Sequence, residues 1–445
     1  MKSMTLGFMG IAMLMLATLQ LSAQTDPPFG DEMKKSVIRS AISLLHEHYI
    51  FPERVKNIEA ALLKKMDGGG YSGLQNPPDF LRELNADLER EGNDHHLNIS
   101  FNPERVAQIR LDEQNEADGK PEVFTEQMMQ RMRYENFRMR KLERFDGNVG
   151  YFQFLNFLPL AAAKESMVSA MNFLRHSGAL ILDLRENGGG DAESMNFLLG
   201  YFLADGTQTG VWRHRKGNST EKIFVKPDPA VQKIPDDMPV YILVGNRTSS
   251  AAEGFAYTLQ QYKRATIVGE QTKGEGNPGQ LFVLNDFLYI MIPTIEGLNP
   301  VTGKGIEGTG VTPDIAVSPG SSLSRALLEI YTQWSASSQN PAQKQLAAWL
   351  APALKNELQP ELLPEENAML LVGEYAGGRK ITYEAGSVFY FNSKSKKIRL
   401  DYLGNGVFQH SEDKWLRLKM PMDGATVRSV TWFWDDGGTE EMTKK

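Results

Sequence analysis

Apolar residues change their spacing several times along this chain, and each change marks an element or a boundary. Between residues 32 and 66, Val37, Ile38, Ala41, Ile42, Leu44 and Leu45, then Ile58, Ala61, Leu62 and Leu63, recur at helical spacing, with Phe51-Pro52 interrupting the run. Gly68-Gly69-Gly70 breaks the pattern, and a third helix is predicted from about Pro78 to Leu88, giving a helical bundle that ends near Asn93. Residues 122–143 are rich in Met, Arg and Glu without Pro or Gly, which predicts a charged helix. From Gly147 the pattern changes. Asn148 to Phe154 has the composition of a strand, and Ala161 to His176 reads as a helix. Ala179-Leu180-Ile181-Leu182, Pro239 to Val244 and Ala265 to Val268 are short apolar runs of the kind that buried parallel strands show, and a helical stretch at 251–263 separates the last two. This is α/β alternation, so an open sheet with crossover helices is expected.

Beyond Pro319 the chain is predicted helical to about Leu358, and Pro360 and Pro364 mark a linker. From Leu371 it is rich in Tyr, Phe, Val and Gly, with turns at Gly377-Gly378, Gly404-Asn405-Gly406 and Asp435-Asp436-Gly437-Gly438, which predicts a small antiparallel β-domain. The start of the chain differs from all of this. Lys2 precedes an apolar run from Met4 to about Leu19, and Leu21-Ser22-Ala23 supplies small residues before Gln24, the layout of a secretory signal peptide cleaved after Ala23. The run is shorter than the roughly 20 residues a membrane span prefers. The expected organisation is a signal peptide at 1–23, an N-terminal helical domain at 24–120, an α/β core at 121–320, a helical linker at 321–365 and a β-rich accessory domain at 366–445. The mature protein is expected to be exported, periplasmic or extracellular, without a membrane span.

Composition narrows the function classes. The chain has no cysteine, which excludes disulfides, zinc–thiolate sites, a cysteine nucleophile and a lipid anchor on an N-terminal cysteine. A formal charge of −7 without a basic stripe argues against a nucleic-acid partner. No metal or cofactor is expected, and nothing in the pattern fixes an oligomeric state.

Four segments could carry chemistry. In Leu182-Asp183-Leu184-Arg185-Glu186-Asn187-Gly188-Gly189-Gly190 a buried strand runs into a three-glycine turn, with a helix beginning near Ala192. Such a turn offers backbone N–H groups to an anion or an oxyanion, or is simply tight. It lacks the Gly-Lys-Ser/Thr end of a phosphate loop. In Asn246 to Ala256, Ser250 sits between a strand and a helix among small residues, as a nucleophile elbow requires; a helix N-cap at Ser249 or Ser250 is the alternative. Asp94-His95-His96-Leu97 holds adjacent histidines, one of them a candidate base, with a surface pair as the alternative. No third zinc ligand lies at a recognisable spacing. Val268 to Gly276 is glycine-rich and is either a solvated loop or a border of the same sheet end as Ser250. Ligands of open α/β sheets bind outside the carboxyl ends of the strands, so three loops are expected to converge on one crevice.

These motifs carry a resemblance. Ala179 to Gly190, Thr248 to Glu253, Arg264 to Glu270 and Gly305-Ile306-Glu307-Gly308-Thr309-Gly310-Val311-Thr312-Pro313-Asp314-Ile315 stand in the order found in the C-terminal-processing and tricorn-core serine peptidases. The stretch from Gly147 to Val317 resembles that family, in a branch similar to interphotoreceptor retinoid-binding protein and its bacterial relatives, and Ser36 to Asp94 resembles the branch's N-terminal domain. The resemblance implies a crotonase-like, serine-peptidase-type core. It implies Ser250 as nucleophile, the N–H groups of Gly189 and Ala251 as an oxyanion hole (Gly190 being nearly as good as Gly189), His96 as general base, and Glu307 as a supporting carboxylate, unless Glu307 is a solvated turn residue. Many C-terminal-processing enzymes use a serine–lysine dyad. Here Glu275 falls at the lysine position and Lys273 two residues away, which favours the histidine. No PDZ module is evident. The expected activity is hydrolysis of a peptide or unfolded protein through an acyl-enzyme. The rival is an apolar-ligand carrier on the same fold, with Phe152, Phe154, Phe157 and Leu158 lining a pocket rather than packing a core.

Overall fold

The computed structural model describes residues 30–117, 124–421 and 426–445; the segment 1–23 expected as a signal peptide lies outside them. Its centre is a six-stranded sheet in the order Ile315–Ala316, Thr266–Gly269, Val240–Val244, Ala179–Asp183, Val149–Phe154, Met139–Phe145. The first five strands run parallel and the last pairs antiparallel. Every residue of Ala179–Asp183 and Val240–Val244 is buried, because both sheet faces are covered. Leu180, Leu182, Ile242 and Val244 point into a core shared with the helices Leu160–Leu174, Ala192–Leu199 and Ala251–Gln261. Ala179, Ile181, Tyr241 and Leu243 point the other way, onto Tyr331, Trp334 and Ala347. The two-residue period of a strand is thus spent on two separate cores.

That second core corrects one expectation. Residues 321–365 are not a linker: the helices Ser322–Ser337 and Pro341–Leu358 form the layer that covers the sheet's other face. The charged helix expected at 122–143 also ends early, at Tyr134. Residues Met139–Phe145 are instead the edge strand of the sheet. A tight turn at Gly147 and Asn148, with φ of 72° and 69°, folds them back on Val149–Phe154, and this pairing overrides their helix propensity.

The N-terminal unit holds the helices Asp31–His48, Pro52–Asp67 and Pro77–Gly92, but it is not closed by helices alone. The strand Asn98–Phe101 pairs with Leu288–Pro293, which pairs with Gly279–Val283. Leu288, Ile290 and Ile292 lie fully buried against Val37, Ile58 and Leu84. A segment far along the chain therefore completes the first core and ties it to the central sheet. A third small sheet joins Ile295–Leu298, Gln208–His214 and Ser219–Phe224. The C-terminal unit is an eight-stranded antiparallel sheet from Gly373–Tyr375 to Thr439–Thr443. It is nearly closed, since Tyr375 bridges to Lys444 and Lys445 N donates to Glu374 O at 2.8 Å. Among the described residues no helix is long and apolar enough to cross a membrane.

Replacing Ile290 with Ala should cost about 2–5 kcal/mol, the range for a truncated, fully buried side chain. If the strand completes the N-terminal core, limited proteolysis of Ile290→Ala will nick residues 31–92 faster than in the wild type. Unchanged cleavage there would mean that the helices stand without it.

Candidate active site

The strand Val240–Val244 ends in a turn fixed from within. Thr248 Oγ1 accepts from Gly245 N at 3.0 Å and donates to Leu184 O at 2.7 Å. Ser250 follows with φ 53° and ψ −123°, a conformation few side-chain-bearing residues adopt, and the helix Ala251–Gln261 starts at the next residue. The strand–turn–helix path and the strained serine are the geometry of a nucleophile elbow. Ser250 stands at the N-cap position, so the capping alternative and the elbow describe the same residue, but the strain has no use in a cap.

The three-glycine turn lies against it. Asn187, fully buried, donates to Phe154 O at 3.1 Å, accepts from Gly189 N at 2.9 Å, and offers its carbonyl to Ser249 N at 3.1 Å. Gly189 has φ +85°, and a Cβ there would lie 2.7 Å from both Ser249 O and Ser250 Cβ. Only glycine lets these two loops touch. The Gly189 N–H is engaged by Asn187. The N–H groups of Gly190 and Ala251 find no acceptor among the described residues, and both residues line the same cavity as Ser250. Gly190 lines the cavity and Gly189 does not, and the Asn187 side chain occupies the Gly189 N–H, so Gly190 is the better placed of the two glycines to offer a donor there.

Glu253, fully buried, binds the third loop to this turn. Its Oε2 accepts from Ser250 N at 2.9 Å and Glu275 N at 2.8 Å; its Oε1 accepts from Gly274 N at 2.7 Å and from the Thr272 hydroxyl. Burial pushes the Glu253 carboxyl above its ordinary value, and the four donors pull against that shift.

The histidines, which sit in a turn after Asp94, part company. His95 points to the surface and meets Glu89 at 2.6 Å. His96 is largely buried, with Nδ1 3.6 Å from Glu307 Oε2. Glu307 Oε2 also accepts from Gly276 N at 2.8 Å and Asn277 N at 3.0 Å, so it is anchored and not a solvated turn residue. Beneath them lies Asp94, fully buried, which accepts from His96 N and from the Tyr49 hydroxyl, each at 3.0 Å. Burial opposes the His96 imidazolium, but Glu307, Glu275 and Asp94 outweigh it and raise His96 above its usual value. Burial likewise opposes ionised Glu307, yet His96 and the two backbone donors hold its carboxyl below the usual range. Burial and the neighbouring Glu307 push Asp94 up to about 6. Asp94, His96 and Glu307 offer ligand atoms within 4.8 Å of one another. Each Asp94 oxygen accepts one of these hydrogen bonds, Oδ2 from Tyr49 and Oδ1 from His96 N.

His96, Ser250, Ala251 and Gly190 line one cavity of about 360 Å³. Its apolar wall is made by Met195, Trp212, Tyr257, Met291, Leu298 and Ile306, several of them from strands that the sequence pattern did not reveal. No hydrogen bond joins Ser250 to His96, a separation common before substrate binds. With Nδ1 turned to Glu307, Nε2 is the imidazole nitrogen left for the cavity. Lys273 is exposed, pairs with Glu275 at 2.5 Å, and does not line the cavity. Phe152, Phe154 and Phe157 pack in the sheet core, the alternative to their lining a carrier pocket, and none of them lines the Ser250 cavity.

Exchanging the Glu253 carboxylate for an amide sets an NH2 group against backbone N–H donors. Glu253→Gln should lose about 1–3 kcal/mol of stability. The amides of Gly274 and Glu275, protected in the wild type, should then exchange with deuterium markedly faster; unchanged protection would show that the loop is held by something else.

Comparison with known proteins supplies a family. Residues 148–317 match the model of peptidase family S41, and residues 32–138 match the N-terminal domain of peptidase S41 in eukaryotic IRBP. The chain is 30% identical over 179 residues to the carboxy-terminal-processing protease of Bartonella bacilliformis, covering 39% of this chain and 40% of that one. It is 28% identical over 181 residues to the chloroplastic carboxyl-terminal-processing peptidase 1 of Arabidopsis thaliana, covering 40% of this chain and 35% of that one. It thus spans less than half the length of the curated relatives it matches. The solved photosystem II D1 C-terminal processing protease superimposes with a TM-score of 0.38 at 16% identity, over 64% of this chain and 93% of that one. The chain belongs to peptidase family S41, with residues 148–317 as its peptidase domain and residues 32–138 as its N-terminal domain.

Proposed function

We propose that this chain hydrolyses peptide bonds with Ser250 as nucleophile and His96 as general base. The observation that carries the reading is the strained Ser250 in the same cavity as a histidine whose Nδ1 faces a partly buried, anchored carboxylate. Ser250 Oγ attacks the carbonyl carbon as its proton passes to His96 Nε2. The oxyanion forms between the N–H groups of Gly190 and Ala251, each contributing about 3–4 kcal/mol if it behaves as other oxyanion-hole donors do. The C–N bond then breaks, and the departing amine takes the proton from His96. Water attacks the acyl-enzyme, returns a proton through His96, and releases Ser250 and the new carboxylate. Glu307 fixes the imidazole and stabilises its charged form. The substrates of this reading are peptides or unfolded proteins in extended form, with an apolar side chain against Trp212, Met291 and Leu298. The leader pattern at residues 1–23 supports action outside the cytoplasm, in a periplasm or beyond the cell.

A fluorophosphonate should label Ser250 and no other serine, and casein hydrolysis should disappear in Ser250→Ala. His96→Ala should lower kcat/KM by roughly 10²–10⁴-fold, as expected for loss of a general base. Lys273→Ala should leave it unchanged. Loss with Lys273→Ala but not with His96→Ala would overturn the assignment of the base.

The pH profile tests Glu307. Catalysis needs neutral His96, whose value is raised, so kcat/KM should climb with pH through an apparent value above the ordinary histidine value of about 6.5. Glu307→Gln removes the leading electrostatic cause of that rise. The acid limb should move to lower pH while the plateau falls. A limb that does not move would mean that another group sets it.

A further inference from the structure

A second cavity, of about 890 Å³, lies where the helices Ser322–Ser337 and Pro341–Leu358 meet the outer wall of the C-terminal sheet. It shares no lining residue with the Ser250 cavity. One of its walls holds Arg417, which is only 5% exposed. The guanidinium is fixed on three sides. Nε donates to Gln409 Oε1 at 3.0 Å, Nη2 donates to Trp349 O, and its central carbon lies 4.1 Å over the Trp349 ring. Gln409 is itself held, its amide donating to Asp413 O at 2.9 Å and Leu416 O at 3.0 Å.

What is missing is an anion. Among the described residues no carboxylate pairs with Arg417, and its Nη1 has no hydrogen-bond acceptor. Burial draws its value down to about 10, which leaves it charged at neutral pH. A buried charge is ordinarily paired, because taking an ion out of water costs several kcal/mol that only a partner returns. The rest of the cavity does not supply that partner. Among the described residues its lining carries Lys355 and Lys419 besides Arg417, with Glu361 as the one acid, 3.7 Å from Lys355. On a chain of formal charge −7, this is a local surplus of positive charge. The remaining wall is mixed: Pro352, Leu403, Val407 and Phe433 give it an apolar patch, and hydroxyls and amides, Thr431, Asn356 and Asn405 among them, line the rest.

We propose that this cavity is a binding site for a small organic carboxylate, whose carboxylate meets Arg417 Nη1 with Lys419 nearby and whose apolar body lies against Pro352, Leu403, Val407 and Phe433. A pre-oriented guanidinium with one nitrogen unspent suits a monoanion, and the apolar patch favours an organic acid over inorganic phosphate. The site is independent of the peptidase reading and stands or falls without it.

The test is calorimetric titration of the protein with hexanoate, benzoate and 3-phenylpropionate, each beside its neutral alcohol, and with inorganic phosphate. At least one carboxylate should bind saturably and roughly tenfold or more tighter than its alcohol, as a charge-assisted hydrogen bond requires. Arg417→Gln should remove that preference. Because Arg417 also braces the helix against the sheet, Thr431→Trp serves as a second variant: it fills the cavity, keeps Arg417, and should abolish binding. Thermal melts of both variants will report whether they fold. The proposal is overturned if no carboxylate binds, if the alcohols bind as tightly, if phosphate binds more tightly than every carboxylate, or if folded Thr431→Trp binds like the wild type.

Discussion

The geometry of the candidate site depends on two carboxylates that share one loop. Glu253 and Glu307 are far apart in sequence, but the backbone amides of four consecutive residues divide between them: Gly274 and Glu275 donate to Glu253, Gly276 and Asn277 to Glu307. Glu253 also receives the amide of Ser250, and Glu307 faces His96. One loop therefore sets the Ser250 turn and the carboxylate facing His96 in a single frame. Taking two carboxylates out of water is costly, and donors offset the cost unequally: Glu253 meets four, while Glu307 Oε2 meets two and its Oε1 meets none among the described residues. Free amides alone would not hold the loop in this shape, and charged side chains would bring their own desolvation.

The same frame explains why strained backbone persists at Ser250. A serine at φ 53° relaxes unless its neighbours forbid it. Here Ser249 N is held by Asn187 and Ser250 N by Glu253, while Gly189 presses against Ser250 Cβ. Three elements from three parts of the sheet thus fix one residue. This is the convergence at the carboxyl ends of parallel strands that makes such a sheet a site at all.

How much of this the sequence reveals follows from the range of the interactions. Ala179–Asp183 and Val240–Val244 are legible because burial on both faces leaves no polar position to mask them. The strand Asn98–Phe101 is not, since it is short and its partner, Leu288–Pro293, is nearly two hundred residues away. The helices Ser322–Ser337 and Pro341–Leu358 show their helical character but not the sheet face they cover. In the site, Ser250 stands out by its place between strand and helix. Glu253 does not, because a glutamate three residues into a helix reads as half of a capping box, and its bonds to the distant loop leave no trace in local spacing. Asp94 is visible beside His96, but nothing in the sequence says that it lies beneath the imidazole with Tyr49 on its other oxygen.

The electrostatics of the cluster bear on the kind of base it can support. A lysine base must lose its proton near neutral pH, so its value has to fall by roughly three units from about 10.4. Desolvation or a neighbouring cation does this, and nearby carboxylates do the opposite. Around His96 stand Glu307, Glu275 and Asp94, all of which favour a cation. A lysine here would be held charged and would not accept a proton from Ser250. A histidine starts near 6.5, and the same carboxylates that raise His96 strengthen it as a base. The carboxylate at position 275, where the resemblance would place the lysine of a serine–lysine dyad, is therefore more than the absence of one base. Its charge belongs to a set that suits the imidazole, and lysine could be restored at 275 to act as a base only if that set were dismantled with it.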